Sequence, residues 1–131
     1  MNTEQQQLES IKGIGRQVTF EPGTRIYEAE YLVGDPCAYL ILEGEVEVIK
    51  SYTPLQKDVF PYGRGDVFGM LEVYVNTARL TEARAVTQVQ AVGFSRVEFE
   101  RAMAANITFA LTCIRILSRM LRQVNLKLKA I

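Results

Sequence analysis

The 131-residue chain contains no histidine at all. That removes the commonest general base and the commonest zinc ligand, so two large classes of enzyme chemistry lose their usual residue. No serine-nucleophile motif takes its place, and an enzyme is the least favoured reading. Cysteine is scarce: Cys37 and Cys113 lie far apart with no metal-type spacing, which predicts buried free thiols rather than a disulfide or a metal site. Long apolar runs are also missing. No window approaches the roughly 18 apolar residues of a membrane span, and the polar opening MNTEQQQLES lacks a signal-peptide pattern, so the expected location is cytoplasmic, with no membrane partner. Finally, acidic residues are missing from one end. Residues 1–100 carry all fifteen acids against nine basic residues, whereas residues 101–131 carry six basic residues and no acid, a basic helix on an acidic body.

What is present fits one domain with an ordinary core: 48% apolar and 23% charged residues. Residues 3–12 read as a short amphipathic helix stopped by Gly13. From Gln17 the pattern becomes that of strands: 18–20, a turn at Glu21–Thr24, 25–29, a turn at Gly34–Pro36, then an apolar run at 38–42. After Glu43-Gly44, valine and glutamate alternate over 45–49, which puts one face in a core and one in water. Further strands are expected at 56–60, 83–86 and 89–94. Some eight short strands with glycine-rich turns imply a mainly β fold with flanking helices, a jelly-roll-like β-roll over 17–95 followed by helices over 96–131.

Between the fifth strand and the closing pair lies the stretch YGRGDVFGMLEVYVNTARLTEARA, residues 62–85. Gly63, Gly65 and Gly69 punctuate it, and Gly69 opens a short helical segment over 70–73. Amides at such a turn converge on one point and favour an anion there. Arg79, ten residues on, can return a guanidinium to the same point and grip two oxygens at once.

This stretch, Phe68-Gly69-Met70-Leu71, nine residues, then Arg79 with Leu80, resembles the phosphate-binding cassette (63–85) of cyclic nucleotide-binding domains. That family reads F-G-E-L, a variable helix and turn, then P-R-A-A or R-S. Gly23, Ile26, Tyr39, Ile41, Gly44, Val46 and Val48 also match the family's strand pattern, so the resemblance covers roughly 20–131. It implies that Phe68, Gly69, Leu71 and Arg79 serve the cyclic phosphate of cyclic AMP or cyclic GMP. Met70 stands where the family's glutamate takes the ribose 2′-hydroxyl, and Leu80 where the family has a small residue. The phosphate half matches and the ribose half does not.

Ser95 to Glu98 form a capping box for a helix to about Ala105, and Asn106 caps a second one. There Ile107, Ala110, Ile114, Leu117, Leu121, Val124, Leu128 and Ile131 recur at alternating spacings of three and four, a heptad seam on a rod of about 36 Å. Phe109, Cys113, Ile116 and Met120 form a second stripe able to lie on the roll, and Arg115, Arg119 and Arg122 face outward. By resemblance this is the long helix through which catabolite-activator relatives dimerise, and it closes over the base with Val124 and Asn125. A homodimer follows from both the spacing and the resemblance. No helix-turn-helix follows the seam, so direct DNA binding is not expected and the output is expected through an unknown downstream protein. Two readings stay open: a sensor of a cyclic nucleotide or related small anion, and a degenerate domain acting as a ligand-free dimerisation module.

Overall fold

A computed structural model describes residues 9–27, 37–71, 73 and 81–130. Within them the chain forms eight strands and two long helices: β1 (Arg16–Phe20), β2 (Arg25–Tyr27), β3 (Ala38–Glu43), β4 (Val46–Thr53), β5 (Gln56–Tyr62), β6 (Val67–Phe68), β7 (Glu82–Ala85), β8 (Val89–Phe94), α1 (Arg96–Ala105) and α2 (Ile107–Ala130). Residues 9–12 are helical, the described end of the N-terminal helix; its start lies outside the described residues. The strands build two four-stranded antiparallel sheets, ordered β1-β8-β3-β6 and β2-β7-β4-β5. This is the expected β-roll with flanking helices.

Pairing explains where the strands depart from the sequence pattern. The valine–glutamate alternation marks only the first half of β4. The strand continues to Thr53 because Lys50 and Ser51 pair with Asp58 and Lys57 of β5. The hairpin tip is tied by Thr53 Oγ1, which accepts from the amides of Leu55 and Gln56 at 3.3 and 3.1 Å. The two-residue β6, inside the glycine-punctuated stretch, exists because Phe68 and Val67 pair with Tyr39 and Leu40.

Alternation along β3 divides the molecule. Tyr39 turns into the roll, where its ring stacks on Phe68 at 5.2 Å and meets the edge of Phe20 at 5.7 Å. Ala38 and Leu40 point to the other face, toward their partners Phe94 and Val92. There the helices pack: Phe94, Phe99 of α1 and Phe109 of α2 form an aromatic cluster with centroids 5.8 to 6.3 Å apart. The roll therefore has an inner core between sheets and an outer core beneath the helices.

Both helix starts are as read from sequence. The Ser95 hydroxyl accepts from the Glu98 amide at 3.3 Å, and the Glu98 carboxylate accepts from the Ser95 amide at 2.8 Å. Hydrogen bonding to the carboxylate, first from the Ser95 amide and then from the Ser95 hydroxyl, holds the Glu98 carboxyl below its usual range. Asn106, 7% exposed, accepts from the Phe109 amide through Oδ1 at 3.0 Å. No single helix among the described residues is long and apolar enough to cross a membrane.

Candidate functional site

The turn from Tyr62 to Asp66 fixes the approach to the glycine-rich stretch. Asp66 Oδ2 accepts from the Gly63 amide at 2.9 Å, and the Gly65 amide donates to the Ile41 carbonyl at 2.8 Å. The Ile41 amide donates in return to the Asp66 carbonyl at 2.9 Å, which locks the turn onto β3. After β6, Gly69 adopts φ +80°, a left-handed conformation that lets the chain swing out of the sheet at little cost. Residues 71 and 73 are helical. Across this turn the side chains alternate: Met70 and Val73 are buried and Leu71 is exposed.

Phe68, Gly69, Met70 and Leu71 meet in one place, the wall of a cavity inside the roll. Tyr27, Val48 and Tyr62 supply the strand side, Thr81 the start of the returning chain, and Ile116, Leu117 and Met120 of α2 close it. The polar groups are few. The Tyr27 hydroxyl lies 3.5 Å from that of Thr81, and Thr81 is 7% exposed. Burial pushes the Tyr62 hydroxyl up to about 12, with Arg119 opposing and Asp66 adding to the rise. Tyr27 and Tyr62 were not singled out as lining residues, because a strand tyrosine gives no local sign of which sheet it will face, whereas Met120 belongs to the stripe expected on the roll.

Among the described residues little open space is left beside Gly69. The cavity is about 20 Å³, room for a single water. Met70, only 5% exposed, occupies the volume together with Leu117 and Met120. The helix contacts expected at Val124 and Asn125 lie beyond the cavity: Val124 is half-buried and Asn125 exposed, one to two turns past Leu117 and Met120. Arg79 and Leu80 lie outside the described residues. Among the described residues no group of three acidic or cysteine side chains is placed to hold a metal ion.

Helix α2 carries two apolar faces, as the spacing predicts, but the division is shifted. Phe109, Cys113 and Ile116 are buried on the roll, and Met120 is half-buried there. Leu117 and Val124, placed by the heptad in the seam, also pack partly on the roll. The row left in water is Ile107, Leu111, Ile114, Leu121 and Leu128, with Ile107 and Leu121 each 71% exposed. Arg115, Arg119 and Arg122 are exposed, as expected. Both cysteines are free thiols.

A sheet-pair roll, a left-handed glycine after β6 and a long helix closing the space behind it form a recognisable set, and the family profile described as cyclic nucleotide-binding domain matches residues 17–106. The chain belongs to the cyclic nucleotide-binding domain family. No curated protein matches the sequence of this cyclic nucleotide-binding domain. Among solved structures, the catabolite activator protein of Thermus thermophilus superposes with a TM-score of 0.75 at 19% identity, over 95% of this chain and 58% of that one. The domain thus spans little more than half of that relative. A protein from a cyclic-GMP-dependent signalling pathway that regulates bacterial phytopathogenesis matches at 0.66 and 19%, covering 95% of both chains. The regulatory subunit of a cAMP-independent protein kinase A from Trypanosoma cruzi, bound to guanosine, matches at 0.58 and 27%, over 67% of this chain and 31% of that one.

Proposed function

We propose that this domain is a non-enzymatic sensor whose roll takes a cyclic nucleotide or a related small anion only when α2 moves. The observation that carries this reading is that the Gly69 turn and the helix side chains Ile116, Leu117 and Met120 line one cavity. A ligand seated on the turn needs several hundred cubic ångströms, against about 20 Å³ in the closed form, so it must displace Met70 and lift or slide α2. Gly69, Leu71 and Arg79 would take the phosphate, with the hydroxyls of Tyr27, Thr81 and Tyr62 the polar groups nearest the rest of the ligand. The signal leaves through α2. Its exposed row, Ile107, Leu111, Ile114, Leu121 and Leu128, is where a second copy would pack in parallel, and a displaced helix would present a changed dimer to a downstream protein.

Calorimetry with cyclic AMP and cyclic GMP tests the ligand, alongside thermal unfolding, where a ligand at a hundred times its dissociation constant adds about 2.7 kcal/mol. Sedimentation tests the dimer. Ile114→Glu with Leu121→Glu changes residues that are 59% and 71% exposed and should give folded monomers. A wild type that is monomeric at tens of micromolar removes the dimer from the proposal.

The small volume of the cavity favours a second reading, a domain that keeps the roll and the helix surface but binds nothing inside. Met70 is its main support, because a methionine thioether is only a weak acceptor for a ribose hydroxyl, unlike the family's glutamate. Silence of both cyclic nucleotides in calorimetry and thermal unfolding would favour it.

A further inference from the structure

A cavity larger than the one inside the roll lies on the other side of β3. About 390 Å³ lies between the outer face of the first sheet, the helical residues 9–12 and the start of α2, within the range of small-molecule sites. One half of its wall is apolar: Ile11, Leu40 and Phe109 are each at most 5% exposed. The other half is polar, made by Thr108 and Thr112 one turn apart on α2, and by Arg64 at the rim. Among the described lining residues Arg64 is the one charged group, and no ion pair among the described residues engages it. The amino end of α2, whose first amides and dipole favour negative charge, lines the same cavity.

We propose that this cavity is a second ligand site, distinct from the one inside the roll, and that it takes a small amphipathic anion: a carboxylate or phosphate monoester on a flat apolar body of naphthalene size. The guanidinium pairs with the head group, the two threonine hydroxyls donate to it, and the apolar body lies on Leu40 and Phe109. A cation is disfavoured by Arg64 and by the helix dipole. A wholly polar anion would leave the floor of the cavity in contact with water.

Titration of the isotope-labelled chain with 2-naphthoate and with 2-naphthyl phosphate, followed by amide resonances, tests the site. Shifts centred on Leu40, Arg64, Gly65, Thr108 and Thr112 are expected for at least one probe, and the tighter of the two names the head group. Arg64→Ala, an exposed turn position, should weaken binding about tenfold or more. Thr112→Phe should abolish it by filling the space. Arg115→Ala, on the exposed face of α2, should leave it unchanged, and excess cyclic AMP should not compete. No shifts at millimolar probe, equal binding by Arg64→Ala or by uncharged naphthalene, or shifts centred on Ile114 and Leu121 would each overturn the assignment.

Discussion

Met70→Glu is the most informative single change, because it installs the carboxylate expected from the family pattern in a place the structure shows to be closed. The wild-type side chain is 5% exposed and sits among Tyr27, Val48, Phe68, Leu117 and Met120, with space for about one water. A carboxyl group there loses its hydration and meets no cation among the described lining residues, so its pKa rises. In the unfolded chain it titrates near its reference value of about 4.3. Between that value and the raised folded value the native state holds a proton that the unfolded state has lost, so stability falls as pH rises through this window. A rise of about 2 units, at the modest end for a buried carboxyl, is worth about 2.7 kcal/mol. In a domain of this size that is a fall of roughly 10 °C in Tm. Thermal unfolding by circular dichroism at pH 4.5 and pH 7.5, with Met70→Gln as a control that cannot titrate, should show the Met70→Glu loss mainly at the higher pH. A cyclic nucleotide should then restore more Tm to Met70→Glu than to the wild type, and that gain should vanish when Arg79→Ala is added. If Met70→Glu follows the wild type across pH, residue 70 is not enclosed and the closed-cavity reasoning fails.

Two left-handed glycines should respond differently to the same substitution. A Cβ at Gly44, φ +100°, would lie 2.3 Å from the Gln88 carbonyl oxygen, so Gly44→Ala should cost about 2 to 4 kcal/mol in denaturant unfolding, whereas Gly65→Ala, φ +88° in open space, should cost only about 1 to 2 kcal/mol. Ser95→Ala removes the hydroxyl arm of the capping box, leaves the backbone arm to Glu98, and should remove about 1 kcal/mol at pH 7, measured the same way. Glu98 is depressed chiefly by the Ser95 backbone amide, so its stabilising part is present above its unfolded value and fades as pH falls through the folded one, and a Glu98→Gln deficit should shrink in acid. Burial and the 3.0 Å hydrogen bond to Asp58 raise Tyr52 to about 12; Asp58→Asn should move its titration, read by ultraviolet absorbance, back toward the ordinary tyrosine value.

The roll was legible because its signals are local: alternation in β4, turn glycines, and the capping residues Ser95 and Asn106 each act within a few positions. The closed cavity was not. Whether Met70 fills a space depends on Tyr62 in β5 and Met120 in α2, fifty residues further on, and no short-range pattern couples them. The heptad spacing read correctly that α2 has two apolar faces. It could not say that Leu117 and Val124 would be shared with the roll, since a helix laid on a curved sheet buries whichever neighbours its tilt brings down. The outer cavity had no sequence signal either: Arg64, Thr108 and Thr112 are unremarkable until β3 and α2 are placed side by side.

Cys113 turns the seating of α2 into something that can be timed. Its thiol is 2% exposed, and burial pushes its pKa up to about 12, so in the closed form it holds almost no thiolate at neutral pH. An alkylating reagent can reach it only during moments when the helix is off the sheet, and its labelling rate then equals the fraction of time spent open multiplied by the rate of an ordinary thiol. Cys37, only partly buried, marks the same molecules on a separate clock that does not depend on α2. The ratio of the two rates reads helix lifting without any added probe, and a compound that opens the roll should speed Cys113 alone.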